Sequence, residues 1–326
     1  MVVDVFCHYI SRSVGERIGM IRCPPEEKTI PAKWHENFPY PRDSADPEVR
    51  LALMDKYGIQ VQALNLTAET LRGFNPREAA EVCRQANNDI YAVCKAYPKR
   101  FVNICVVSLL DVKAALLEID RAVSELDCRA ITVASNHEGK GLDSTDYFPF
   151  YEKLVQHDLA LFIHPTHWDS YPLVDDKDGL EIMGLFGWPF DSTQAVWRLI
   201  FGGVFDRFPS LKVVMHHMGA MFPFFVGRVE LGMARVKKKL ARDVSEYWNN
   251  IYADTAISGG YSGAYSCGYA FFGPDRLMYG SDYPFGLESG ERYVRTILAG
   301  TRSINAPADH LEKIMGGNAK KLLKIG

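Results

Sequence analysis

The stretch Leu159-Ala160-Leu161-Phe162-Ile163-His164-Pro165 decides how the rest of the chain is read. It is a short apolar run, the pattern of a strand buried on both faces. It ends on a histidine, a residue that binds metal or moves a proton. The same grammar recurs on either side. Val2 to Cys7 is an apolar run that leads into His8, and Leu211 to His216 leads into the pair His216-His217. Arg276 to Gly280 leads into Ser281-Asp282. Further strands are expected over Val61 to Leu66, Phe101 to Leu109, Ala130 to Ser135 and Ile251 to Ala256. Helical periodicity falls between most of them, over Asn75 to Tyr97, Val112 to Leu126, Phe148 to His157, Ser192 to Phe208, Pro223 to Lys239, Glu291 to Ala299 and Ala308 to Leu323.

Eight strands alternating with helices predict an α/β fold, a single (β/α)8 TIM barrel over residues 1–326. A long polar, proline-containing insertion, Ser11 to Pro47, follows the first strand, and a lid-like loop follows the fifth. A doubly wound open sheet is the structural alternative, but no glycine-rich turn follows Cys7.

Composition narrows the function classes. The 326 residues are 47% hydrophobic and 24% charged, as in an ordinary globular protein with a large core. A net charge of −3 points to neither nucleic acid nor an anionic membrane as partner. Seven scattered cysteines without a CxxC pair argue against a disulfide framework or a cysteine-rich zinc site. The N-terminus reads as a strand rather than a signal peptide, and no apolar run is long enough to span a membrane, so a cytoplasmic location is expected.

In a barrel, strand C-termini converge on one mouth, so His8, His164, His216-His217 and Asp282 are expected within ångströms of one another. Imidazole nitrogens and a carboxylate suit Zn²⁺ or Mn²⁺. A single strand-end histidine is commonly a plain hydrogen-bonded residue; the joint occurrence carries the reading.

Five segments together resemble the amidohydrolase superfamily, and within it the amidohydrolase-2 group that contains aminocarboxymuconate-semialdehyde, γ-resorcylate and 5-carboxyvanillate decarboxylases. They are Asp4-Val5-Phe6-Cys7-His8, Ile163-His164-Pro165, Val214-Met215-His216-His217-Met218-Gly219, Met278-Tyr279-Gly280-Ser281-Asp282-Tyr283-Pro284 and Ile314-Met315-Gly316-Gly317-Asn318-Ala319. The resemblance implies one divalent metal ion held by His8, His164 and Asp282, with His217 and Asp282 acting on substrate. Of the histidine pair it is His217 that matches the family's His-x-Gly, and strand alternation supports facing only one of the two into the site.

One departure stands out. Where the family carries His-x-His or Glu-x-His, this chain has Phe6-Cys7-His8, and Phe6 cannot ligate a metal. Three ligands with an open position still suit a catalytic centre, at the cost of weaker retention. Strand four lacks the lysine of bimetallic relatives, which matches a mononuclear site. Candidate substrate contacts are His137, His167, Trp168, Arg228 and Arg22, with His35 in the same insertion as Arg22. The basic run Arg235 to Lys239 reads as a solvated helix face.

The resemblance implies non-oxidative decarboxylation of a carboxylated aromatic or conjugated unsaturated acid. Hydrolysis of a lactone, amide or ester is the alternative, and hydration of an unsaturated acid a third. A non-catalytic binding barrel that has lost its metal is the reading from another class. A small-molecule carboxylic acid is the expected partner, in a homodimer whose contact could use Phe222, Phe224, Phe225 and Val226, unless these pack on the barrel.

Overall fold

The computed structural model describes residues 1–22, 45–166, 182–233, 235, 240–257 and 259–326. Eight strands form one sheet: β1 Val3–His8, β2 Val61–Asn65, β3 Phe101–Val106, β4 Ala130–Ala134, β5 Ala160–His164, β6 Val213–Met215, β7 Ile251–Asp254 and β8 Leu277–Met278. Each pairs in parallel with the next in sequence. Backbone bonds between the first and last strands close the ring: Val5 N–H donates to Tyr279 (3.0 Å), Asp282 N–H to Phe6 (2.8 Å) and His8 N–H to Tyr283 (2.7 Å). The expected barrel is the observed one, and all eight expected strands lie within a few residues of their places. Strands buried on both faces have no polar side to alternate with, which is why they read as continuous apolar runs.

The helices obey their own signals. The helix Pro76–Ala96 has proline in its first turn and a full capping box between Asn75 and Glu78. Its buried positions Ala79, Val82, Cys83, Ala86 and Ile90 recur at helical spacing. The expected helix Ser192 to Phe208 is instead Trp188–Phe201 followed by the short Val204–Arg207, because Gly203 adopts φ 76 and breaks the run. The insertion is not purely polar loop: it opens with a helix, Arg12–Arg22, and Pro47 starts another, Pro47–Tyr57. The helix Ser262–Phe272 was not expected; its small and aromatic residues give no polar stripe.

Asp4 is the polar pin of the closure. It is fully buried on β1. Its carboxylate accepts from Ser281 Oγ (2.6 Å) and Ser281 N–H (2.9 Å), and from Gln62 Nε2 (3.1 Å) on β2. Burial pushes the Asp4 carboxyl up to about 7, with the hydrogen bonds from Ser281 and Gln62 opposing it. The strand is bulged here: between the pairs Asp4–Gln62 and Cys7–Leu64 the register shifts. A bulge next to an active-site mouth re-aims a side chain, and Phe6 sits in it. Beyond it, Gly280 is a close approach, where a Cβ would stand 2.8 Å from Asp254 Cβ and 2.9 Å from Phe6 Cβ.

After β4 a short hairpin, Asn136–His137 with Lys140–Gly141, covers part of the barrel end. His137 is buried there against the Tyr147 ring at 6.0 Å. Burial, helped by the charge of Lys140, pushes its imidazole down to about 3.

Two outcomes follow from this packing. Ser281→Ala removes the Oγ hydrogen bond to the buried Asp4 carboxylate while the backbone N–H bond stays, and should lower unfolding stability by about 1–3 kcal/mol in urea titrations. His137 is neutral in the fold, so the unfolded chain takes up a proton there as pH falls below 6.5, and stability is lost from that point down towards the folded value of about 3. His137→Phe should therefore flatten the acid side of the stability profile by up to about 1.4 kcal/mol per pH unit; an unchanged slope would contradict the buried neutral assignment.

Candidate active site

The mouth gathers side chains from four strands and the turns after them. His8 ends β1 and His164 ends β5, fully and nearly fully buried. His216 and His217 follow β6, and Asp282 follows β8. The backbone that presents the last two catalytic candidates is unusual: His217 has φ 58 and Asp282 φ 60, a left-handed conformation that costs a non-glycine residue energy and concentrates at functional sites.

Asp282 is the hub. Its Oδ1 lies 3.2 Å from His8 Nε2 and its Oδ2 lies 3.9 Å from His217 Nε2. Burial works against its charge, but the hydrogen bonds and charges of His217 and His8 win and hold the carboxyl well below the usual range. The same contact acts on His217 in reverse: burial lowers it, and Asp282 more than compensates, leaving the imidazole raised. His164 is driven well below its ordinary value by burial, with neighbouring imidazoles adding to it.

The donor chemistry of these atoms suits a divalent metal ion. His8 Nδ1 contacts Asn65 Oδ1 at 2.9 Å and His164 Nδ1 contacts the Pro165 carbonyl at 2.6 Å. Each Nδ1 thus has an acceptor able to hold its proton, so Nε2 is the nitrogen available to a metal, the arrangement that orients metal-ligating histidines. With metal–nitrogen bonds of about 2.1 Å, two imidazoles on one ion have ring centres roughly 4.5–6.4 Å apart; His8 and His164 stand at 5.2 Å. His8, His164 and Asp282 thus fit one divalent ion in chemistry. As they stand, no three His, Cys, Asp or Glu side chains among the described residues close tightly enough to enclose one. The Phe6 ring stands in the middle of the group, 4.6 Å from His8, 5.9 Å from His164, 3.6 Å from His216 and 5.6 Å from His217, centre to centre.

Three features were missed from sequence. Both histidines of the pair, not one, border Phe6, because β6 ends at Met215 and the alternation argument stops with it. Asp254, at the end of β7, pairs with His216, and the strand-end logic that found His8 would have found it. Arg50, fully buried on the helix Pro47–Tyr57, donates to the His8 carbonyl and to Gln62 Oε1, and lies over the Tyr283 ring at 4.7 Å. It braces the backbone of His8 from behind and packs on the ring of Tyr283, the residue after Asp282.

The remaining candidates do not join this group. Arg228 is exposed on the helix Phe222–Met233. His137 sits under its hairpin, away from these ring contacts. Arg22 ends the helix Arg12–Arg22, and its side chain lies outside the described residues, as do His35, His167 and Trp168. Cys7 packs outward among Leu53, Met54 and Ile297.

The amidohydrolase family profile, Amidohydro_2, matches residues 3–325. The chain is 31% identical to Decarboxylase orsB of Emericella nidulans over 291 residues, 85% of each chain. It is 29% identical to 2-amino-3-carboxymuconate-6-semialdehyde decarboxylase of Dictyostelium discoideum, over 86% of this chain and 77% of that one. Among solved structures, 5-carboxyvanillate decarboxylase from Novosphingobium aromaticivorans, complexed with manganese and 4-hydroxy-3-methoxy-5-nitrobenzoic acid, superposes with a TM-score of 0.85 at 26% identity, covering 99% of this chain and 96% of that one. This chain belongs to the amidohydrolase family.

Proposed function

We propose that this protein is a metal-dependent, non-oxidative decarboxylase of an aromatic carboxylic acid, with His8, His164 and Asp282 holding one divalent ion and His217 handling the proton. The observation that carries the reading is the Asp282 carboxylate shared between His8 and His217, in a barrel whose relatives are decarboxylases. Of the chemistries the sequence left open, loss of carbon dioxide is the one those relatives perform, and hydrolysis has no comparable support. Manganese is favoured because the neighbouring 5-carboxyvanillate enzyme is complexed with it; the same donors accept zinc.

When bound, a divalent cation supplies Lewis-acid stabilisation of the negative charge that develops as the carbon–carbon bond breaks. The chain's own residues do the rest. The half-buried Phe285 ring, 5.2 Å from His8, offers apolar surface to an aromatic substrate, and the fully buried Phe6 ring, 4.6 Å from His8, keeps the space behind it dry. Asp282 is held ionised and raises the pKa of His217 against the opposing effect of burial, which favours a proton on that imidazole. His217 donates it to the ring carbon from which carbon dioxide leaves, directly or through Asp282 Oδ2. Proton transfer by a placed side chain contributes about 10²–10⁴-fold.

We place a second copy of the chain against the helix Phe222–Met233. Phe222 packs on the barrel, whereas Phe224 and Leu231 are 78% and 74% exposed. The described cysteines are free thiols, in keeping with a reducing cytoplasm. No helix among the described residues is long and apolar enough to cross a membrane.

A panel of hydroxylated benzoates assayed for carbon dioxide release tests the activity. On the best substrate, His217→Asn and Asp282→Asn should each lower kcat by about 10²-fold or more; unimpaired turnover in both would overturn the role assignment. Sedimentation velocity should show a dimer that Phe224→Glu converts to monomer. A wild-type monomer at micromolar concentration would remove the second copy from the account.

A further inference from the structure

Four consecutive residues after β6 have left-handed backbone: His217 (φ 58), Met218 (φ 59), Gly219 (φ 73) and Ala220 (φ 54). Such angles cost most residues other than glycine energy, and they usually occur singly. Three of these four are not glycine, so the surroundings must impose the turn. It closes on itself through one backbone bond, from Ala220 N–H to the His217 carbonyl at 2.9 Å. The helix Ser262–Phe272 packs against it. A Cβ on Gly268 would collide with Met218 Sδ, and one on Gly219 with the Phe272 ring.

The polar hold comes from β7. Asp254 is fully buried at that strand's end. Its Oδ1 accepts the N–H of His217 at 3.1 Å and that of Ala256 at 2.9 Å, which ties the exit of its own strand to the first residue of the turn. Its Oδ2 meets His216 Nδ1 at 2.5 Å, and the His216 ring is stacked on Phe6 at 3.6 Å. One carboxylate thus fixes the residue before the turn by its side chain and the first residue in it by its backbone. His217 needs that precision. Its Nε2 stands 3.9 Å from Asp282 Oδ2, a long contact that a shift of the turn by about 1 Å is enough to lose.

We propose that Asp254 is the positioning residue for the proton donor: its carboxylate caps the left-handed turn and so sets where the His217 imidazole stands. This rests on the proton-transfer reading of His217 above, and the test separates the two.

The first measurement needs no variant. Amide exchange followed by NMR should show the His217 and Ala256 N–H groups of the wild type protected about tenfold or more over exposed loop amides. Exchange as fast as theirs would mean that Asp254 does not hold the turn. Two replacements then divide its chemistry. Asp254→Asn keeps an oxygen for both backbone N–H groups. His216, whose buried Nε2 has no hydrogen-bond partner, can carry its proton there and accept from the new amide at Nδ1. Asp254→Leu keeps roughly the same volume and removes every one of these bonds. On the best benzoate, Asp254→Leu should lower kcat by about 10²-fold and change KM by less than about threefold, whereas Asp254→Asn should stay within about fivefold of the wild-type kcat. Ala220, at φ 54 and ψ −117, is the most strained residue of the turn. Adding Ala220→Gly to Asp254→Leu should therefore recover about tenfold of the lost kcat. Undiminished turnover in Asp254→Leu, an Asp254→Asn enzyme as slow as Asp254→Leu, or no recovery with Ala220→Gly would each overturn the assignment. A wild type that releases no carbon dioxide from any benzoate would instead defeat the proton-transfer reading, and amide exchange would still decide what holds the turn.

Discussion

The site depends on one carboxylate kept ionised in a buried place. Asp282 contacts His8 at 3.2 Å and His217 at 3.9 Å, and burial alone would favour its neutral form. The two imidazoles reverse that preference, and the fold is arranged to hold them there. The closure of β8 onto β1 places Asp282 beside His8, with the Asp282 amide bonded to the Phe6 carbonyl. Asp4 pins the neighbouring Ser281, and Arg50 grips the His8 carbonyl. Removing any of these contacts moves the ends of the two strands that supply the hub, so barrel closure and site geometry are one problem in this chain.

Phe6 changes the character of the mouth. A ring lies where the family resemblance leads one to expect a donor, and four imidazoles surround it within 6 Å. Two consequences pull in opposite directions. The ring subtracts a ligand and crowds the space between the others. It also adds apolar surface, which strengthens every electrostatic interaction nearby and suits an aromatic acid better than a hydrated one. A decarboxylase gains from the second effect, because its transition state carries charge on a carbon framework rather than on an attacking water.

Much of this was legible in the sequence, and the reason is physical. Strands buried on both faces announce themselves as apolar runs, and their C-terminal residues must share a mouth once the sheet closes. His8, His164 and Asp282 could therefore be found without coordinates. His216 could not be placed, because the alternation rule that set it aside holds only within a strand, and β6 ends at Met215. The left-handed turn at His217 is what lets two adjacent histidines border one ring. Arg50 was invisible for a different reason: it belongs to the long first insertion, and nothing in Pro47 to Tyr57 says that its one buried arginine reaches under β1. The helix Ser262–Phe272 was missed because small and aromatic residues all round it leave no periodic stripe.

The proposed metal centre stands or falls on whether these side chains hold an ion despite Phe6. Elemental analysis of the purified protein, beside His164→Ala, decides it. About one manganese or zinc ion per wild-type chain is expected, and loss of that ion in the variant, as for removal of a ligand from a mononuclear site. A wild-type protein that carries no metal and takes up neither ion when supplied would contradict it.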